Sequence, residues 1–344
     1  PPMTAIHAVA GHVDSQKANG IRPFDIGKDL RPVAELIAES FASELDARGN
    51  AALREMRVMS HMGGILKVVN RTTGEFNDVF NGFVWVDEDR IVGNVTVQKA
   101  DSQGSRWQIA NVAVAPSHRG RGMARQLMNR ALQHIEAFGG RWAVLQVYAR
   151  NDAARSLYDG LGFEYIGGKA DLILDQTPPL SALPSAIQKI PNFYSFSASH
   201  SQELYELVTC QHSALSQWWR PLRRADYQIN FEQQVGEWFS RLIGRRDVYR
   251  HCIQVTRRFE AAIVLTAQRW SGDHELKLWA RPDNYGKYEN AFMAWTMRML
   301  ADYPRLPVTL ELSTDHTQAI EVAKANGFDV TRTLLTMRTR MQVS

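Results

Sequence analysis

The stretch from Gln108 to Phe163 constrains the fold more than any other part of the chain. Gln108–Val114 (QIANVAV) is a short apolar run with β-branched residues, the pattern of a buried strand, and Pro116 closes it because proline donates no ladder hydrogen bond. A turn with two glycines follows, Ser117–Ala124 (SHRGRGMA). From Met123 to Phe138 apolar residues recur at helical spacing (Met123, Leu127, Met128, Ala131, Leu132, Ile135), so the turn sits at a helix start. Backbone N–H groups there lack intrahelical partners and favour an anion. Glycine lets a phosphate come close to those amides, and Arg119, Arg121 and Arg125 add positive charge beside them. A basic surface turn fits the same residues, so the turn alone does not decide the matter.

The residues downstream do. Trp142–Tyr148 (WAVLQVY) reads as a second buried strand, Asn151 and Asp152 offer a helix cap, and Ala153–Leu161 reads as a short helix ended by Gly162. With these in place, Arg119–Ala124 (RGRGMA) resembles the Q/R-x-x-G-x-G/A signature of the GNAT superfamily of N-acetyltransferases. Asn151, Ala154, Leu157, Tyr158 and Leu161–Phe163 resemble that family's next motif, in order and at the usual distance. The resemblance implies an α/β (α+β) fold, a mixed and mostly antiparallel sheet flanked by helices. It also implies acetyl-CoA as co-substrate and no metal. In the family the strand carrying Val112, Ala113 and Val114 splays from its neighbour and pairs with pantetheine. By position the Val112 amide would polarise the thioester carbonyl, a preformed donor meeting charge that develops in the transition state. Backbone amides of Gly120, Arg121, Gly122, Met123 and Ala124, with the Arg119 and Arg125 side chains nearby, would hold the pyrophosphate. Asn151 would touch the pantetheine arm, and Tyr158 would give a proton to the departing sulfur.

Acetyl transfer needs a held donor, a polarised carbonyl, a neutral amine and an acid for the leaving thiolate. The amine's base has no residue in the expected place, because Gln108 stands where several family members carry glutamate and an amide takes no proton. A water chain, Tyr148, Asp87, Glu88 or His118, or an amine that arrives neutral, are the routes left open. Upstream, Asn19–Phe24 reads as a strand, Leu30–Leu45 and Asn50–Met62 as helices, and Gly82–Val86 with Ile91–Lys99 as a hairpin. The segment 41–70, with Met56, Met59, His61 and Met62, corresponds to the family's acceptor wall, although ordinary helix packing explains the same methionines.

At 344 residues, 44% hydrophobic and 22% charged, the chain is globular and long for one such domain. Prolines and serines interrupt every pattern between 176 and 192. The expected layout is a flexible lead-in over 1–19, an acetyl-CoA-binding domain over 20–175, a Pro-containing linker over 176–192 and a second domain over 193–344. The second half repeats the first in outline: hairpin, strand ending at Arg281–Pro282, helix, strand, helix, and Gly327–Phe328 echoing Gly162–Phe163. Two tandem GNAT-like domains result, with the second degenerate. Tyr288, Glu289 and Asn290 replace Gly122, Met123 and Ala124, while His316 and Ala323 replace Asn151 and Tyr158. A ring and a carboxylate at the helix start would block and repel a pyrophosphate.

Net charge of +4 suits an anionic cofactor and calls for neither nucleic acid nor membrane. Trp218–Arg224 (WWRPLRR) mixes aromatics with arginine, which a helix end with packed tryptophans accounts for. Cys210 and Cys252 are expected as buried, reduced thiols, and the N-terminal residues lack the pattern of a signal peptide or anchor, so a cytoplasmic location is expected. The functional expectation is an acetyl-CoA-dependent N-acetyltransferase acting by direct attack of a primary amine, on a small molecule or a peptide, in a chain compatible with a homodimer. The rival expectations are a non-catalytic acyl-CoA sensor or scaffold and an enzyme for a longer acyl-CoA.

Overall fold

The computed structural model describes residues 19–41, 81–183, 190–228, 236–237 and 244–341. The lead-in before Asn19, the helix expected over Asn50–Met62, and the acceptor-wall residues Met56, Met59, His61 and Met62 lie outside the described residues. The chain divides into two compact units, Pro1–Leu145 with Thr339–Ser344, and Gln146–Arg338.

The first unit is built on strands β1 (Gly20–Pro23), β2 (Gly82–Asp87), β3 (Arg90–Lys99), β4 (Arg106–Val114) and the first part of β5 (Trp142–Tyr148), side by side in that order. Neighbours are antiparallel except β4 and β5, which run parallel and so need a crossover. Helix α2 (Met123–Ala137) supplies it, while α1 (Leu30–Ser40) follows β1. Both helices bury one stripe: Leu30, Val33, Ala34, Leu36 and Ile37 on α1, and Met123, Leu127, Met128, Ala131 and Ile135 on α2. The β2–β3 hairpin turns through Glu88 and Asp89 at φ 47° and 63°, the doubly left-handed pair whose twist matches the strands. Gly93 on β3 gives α2 its seat, since a Cβ there would lie 2.9 Å from Leu127 Cδ1 and 3.1 Å from Trp85 Cβ. Gly93→Ala is expected to destabilise the chain by about 1–3 kcal/mol through overpacking, read as a lower midpoint in a urea melt.

The second unit contains α3 (Asp152–Asp159), β6 (Glu164–Leu174), β7 (Phe193–Ser195), α4 (Ser201–Gln211), α5 (Ala214–Trp219), β8 (Arg246–Val255), β9 (Arg258–Gln268), β10 (His274–Ala280), α6 (Glu289–Leu300), β11 (Val308–Ser313), α7 (Thr317–Ala325) and most of β12 (Asp329–Arg340). Its strand order is β12-β6-β11-β10-β9-β8-β7, with β10 and β11 the one parallel pair. Phe292, Met293 and Leu300 of α6 pack with Ile263, Leu265, Leu276 and Leu310 of the strands beneath. Thr256 and Arg257, at φ 49° and 64°, turn the β8–β9 hairpin as Glu88 and Asp89 turn β2–β3.

Among the described residues the element order repeats in outline: strand, helix, hairpin, strand, helix, strand, helix, strand runs from β1 to β6, and the same order runs from β7 to β12 with two helices, α4 and α5, in place of the first. The compact units do not follow that division. Strand β6, the last of the first series, lies inside the second unit, antiparallel to both β11 and β12. Thr339–Ser344, at the end of the second series, belong to the first unit, where Met341 N–H donates to Arg141 O at 2.9 Å. The segment 176–192 falls within the second unit. Among the described residues no helix is long and apolar enough to cross a membrane.

Candidate functional site

Strand β4 departs from regular pairing where the acyl group was expected to sit. Its register with β3 jumps from Thr96↔Ala110 to Asn94↔Ala113, so Val95 alone on β3 spans Asn111 and Val112 on β4. That is a bulge, and Asn111 takes the left-handed conformation it needs, φ 52°. On the other edge, β4 pairs with β5 from Arg106↔Trp142 to Ile109↔Leu145, yet β4 runs on to Val114. The bulge therefore coincides with the place where the parallel pairing ends. Val112 and Val114 are half-buried, whereas Ala113 faces the core at 3% exposure and can offer only backbone.

Beyond β4 a single 3-10 turn, Pro116–His118, leads to the glycines. Gly120 and Gly122 sit at φ 77° and 73°, and a Cβ on either would meet nothing within 4 Å. Glycine is thus required here by conformation and not by crowding, and the space over the turn is open. Gly122 is the N-cap of α2; no side chain caps that end and no acidic residue lies in its first turn, which leaves an uncompensated positive helix end. Arg119, Arg121 and Arg125 are exposed around it. Two of them also brace the turn: Arg119 donates to Val114 O at 3.2 Å and to Ser40 O at 3.4 Å, and Arg121 donates to Ser117 O at 3.1 Å. Met123 points into the core and Ala124 is half-buried, so both present backbone to the turn.

In the second unit Asn151 caps α3, its Oδ1 accepting from Ala154 N–H at 3.1 Å. Tyr158 lies one residue before the end of that helix at 6% exposure, its ring 5.9 Å from Phe163. Burial pushes its hydroxyl up to about 12, so it keeps its proton across the physiological range. The chemistry open to it is donation.

The open question of the base is narrowed by two contacts. His118 Nε2 lies 3.1 Å from Asp87 Oδ2, and His118 Nδ1 lies 2.8 Å from Ser117 Oγ. Both ring nitrogens are engaged, and the pair ties the glycine turn to the β2–β3 hairpin. Glu88 sits in the hairpin turn itself, and Tyr148 has Arg150 over its ring at 5.9 Å. Gln108 is half-buried opposite Gln98 of β3.

The counterpart turn in the second unit shows what its altered residues do. Gly286 keeps a positive φ of 87°, as Gly120 does, but Glu289 and His316 are fully buried and hydrogen-bonded to each other, Nε2 to Oε1, at 2.7 Å. Tyr288 N–H donates to Glu289 Oε2 at 3.0 Å, and backbone N–H groups of Gly286 and Glu289 also support the carboxylate. Tyr285 stacks on the His316 ring at 3.8 Å. The carboxylate was expected to block and repel an anion; in the structure it accepts hydrogen bonds from the turn's own amides. Gln211 Nε2 reaches His316 Nδ1 at 3.3 Å, which leaves Gln211 Oε1 buried without a partner. A 180° turn of that amide would bring the orphaned oxygen to His316 Nδ1 instead. Ala323 is buried in the core and brings no hydroxyl.

Burial pushes the Glu289 carboxyl up, but the hydrogen bonds from His316 and the backbone outweigh it and hold the group below its ordinary value near 4.5. A depressed carboxylate stabilises the fold above its unfolded pKa, and that contribution is lost as pH falls below about 4.5. Glu289→Gln is therefore expected to cost about 1.5–3 kcal/mol at neutral pH, the worth of hydrogen bonds to a charged group. The gap between parent and variant in chemical melts is expected to close as pH drops through that range.

Two features were not read from the sequence. Asn94 of β3 is 2% exposed and donates from Nδ2 to Asn111 O at 2.9 Å; an asparagine inside an apolar strand pattern was the available signal. A cavity of about 1230 Å³ lies in the second unit, lined on β10 chiefly by the alternating Glu275, Lys277 and Trp279, with Leu278 also at its wall and Leu276 in the core behind. It therefore opens on the sheet face away from α6. One expectation is corrected: Cys210 is exposed, not buried, because it lies on the outer side of the last turn of α4, where Arg281 Nη1 approaches its sulfur at 3.0 Å. Cys252 is buried, as expected. Trp218 is half-buried with Arg338 over its ring at 4.9 Å.

Against known proteins, residues 65–163 match the model of the Acetyltransferase (GNAT) family. Among curated relatives, the chain is 35% identical over 83 residues to N-alpha-acetyltransferase 30 of Schizosaccharomyces pombe, which is 24% of this chain and 55% of that protein. It is 26% identical over 151 residues to mycothiol acetyltransferase of Kocuria rhizophila, 42% of this chain and 45% of that one. The chain thus spans about half the length of these relatives. Among solved structures, a GCN5-related N-acetyltransferase from Sphaerobacter thermophilus superposes with a TM-score of 0.52 at 13% identity, covering 94% of this chain and 96% of its own, a likeness of fold.

Proposed function

We propose, from the match of residues 65–163 to the model of the Acetyltransferase (GNAT) family, that the chain is an acetyl-CoA-dependent N-acetyltransferase whose first series of elements does the chemistry. One observation carries this reading. The turn before α2 has two left-handed glycines, open space and uncapped amides, whereas the amides of the turn before α6 are taken by Glu289. Backbone amides from Gly120 to Ala124 hold the pyrophosphate, with Arg119, Arg121 and Arg125 adding charge. Val112, at the bulge where β4 leaves β5, offers its amide to the thioester carbonyl, and Ala113 and Val114 offer backbone to the pantetheine arm. Tyr158, protonated and buried, gives its proton to the sulfur; Asn151 meets the arm from the α3 cap. A primary amine attacks directly. Gln108 takes no proton, so the amine arrives neutral or passes its proton to water.

The acceptor is a small molecule or a peptide amine, and the name of the Schizosaccharomyces pombe relative supports an α-amino group. Gln108 is the single feature favouring a second reading, an acyl-CoA sensor that binds without turnover. Incubating the intact chain with acetyl-CoA and a panel of amines and short peptides, followed by mass spectrometry, tests both. A product 42 mass units heavier, the acetyl increment, supports the enzyme, while binding with no product from any amine supports the sensor. Substituting longer acyl-CoAs in the same assay tests donor length.

A further inference from the structure

Asn94 is a poor residue for the middle of a buried strand, and its side-chain amide is costly to bury unless bonded. At 2% exposure it donates from Nδ2 to the carbonyl of Asn111, 2.9 Å away. Asn111 is the residue at φ 52°, and its own Nδ2 donates to Thr96 Oγ1 at 3.3 Å, with Asn94 Nδ2 3.5 Å from that same oxygen. Three polar side chains from adjoining strands thus converge on one bulge. In that bulge Asn111 comes one residue before Val112 and two residues past the last β4–β5 pair at Ile109↔Leu145. A left-handed asparagine is tolerated and not preferred, so something must hold it there once the β5 ladder has gone.

We propose that Asn94 is a positioning residue for acetyl transfer: its hydrogen bond to Asn111 O fixes the left-handed turn that aims the backbone of Val112 at the acyl carbonyl. This rests on the reading of β4 as the strand that meets the acyl group. Asn94 touches neither the thioester nor the amine; it acts through Asn111. A purely structural asparagine would be replaced by leucine with a change in stability alone, whereas a positioning one alters how the thioester is held.

The test uses the full chain, acetyl-CoA labelled with 13C at the acyl carbonyl, and unlabelled CoA. In the parent, the bound carbonyl resonance is expected downfield of free acetyl-CoA, as a hydrogen-bonded carbonyl is. Asn94→Leu, and Asn94→Ala as a second variant without the donor, are expected to move that resonance back toward its free position. Each is also expected to weaken acetyl-CoA about tenfold, one hydrogen bond's worth, while CoA, held by the glycine turn, binds as before. Adding Asn111→Gly, which takes a left-handed φ unaided, is expected to restore both readouts. A folded Asn94 variant that keeps the parent's resonance and affinity overturns the proposal, and so does a loss that Asn111→Gly leaves unrepaired. A parent that binds CoA but shows no downfield shift overturns it too. A parent that binds neither acetyl-CoA nor CoA overturns the cofactor reading of β4 itself, and the positioning role falls with it.

Discussion

Titrated with acetyl-CoA in a calorimeter, the intact chain is expected to take up one molecule, and Gly122→Glu is expected to take up none. Gly122 stands at φ 73° as the N-cap of α2, where a residue with a Cβ costs about 1–2 kcal/mol in conformation alone. Space is not the obstacle, because a Cβ there meets nothing within 4 Å. The larger effect is the carboxylate. Placed at an uncapped helix start, it satisfies the amides that a pyrophosphate needs, as Glu289 does before α6 with Tyr288 N–H at 3.0 Å. Losing two charge-assisted hydrogen bonds at about 2 kcal/mol each is roughly a thousandfold in affinity. Gly122→Ala, with the conformational cost and no charge, is expected to lose only about tenfold. Two equivalents bound by the parent, or one equivalent surviving in Gly122→Glu, would place the cofactor on the other turn.

Replacing Tyr158 by phenylalanine is expected to lower kcat about 10²–10⁴-fold, the usual worth of a positioned acid, with little change in acetyl-CoA affinity. The ring's packing beside Phe163 survives the change, so the variant loses one hydroxyl and little else. Since burial raises that hydroxyl to about 12, the group stays protonated well past neutral pH. A parent pH–rate profile is therefore expected to show no loss from this residue below about pH 11, with any limb near neutrality belonging to the amine. Following thiol release with 5-thio-2-nitrobenzoate chemistry measures both. Equal turnover in Tyr158→Phe and the parent would remove Tyr158 from the mechanism.

How much of this was legible beforehand depended on whether the signal was local. The glycines at 120 and 122, the helix behind them and the Asn151 cap are short-range features: a positive φ, a run of periodic apolar residues and an i to i+3 hydrogen bond are each specified within a few residues. The β2–β3 hairpin was readable for the same reason, although the left-handed Glu88–Asp89 turn carries no glycine to announce it. Replacement of Met123 by Glu289 was visible as a lost match. That the carboxylate is sheltered by His316, 27 residues away, and by Tyr285 was not, since nothing in a sequence pairs residues across that separation.

The sequence by itself determined the order of elements around the glycine turn, the outline of its repeat in the second half, and the left-handed backbone of that turn before α2, because each follows from propensity, periodicity and backbone stereochemistry within a window of one or two turns. Only the tertiary structure decided the rest. It put β6 between β11 and β12, bent β4 where its pairing with β5 ends, set Asn94 beneath Asn111, and folded Glu289 onto its own amides. These are contacts between segments distant in the chain, and strand order and buried polar pairing are fixed only when the whole sheet competes for every backbone and side-chain donor at once.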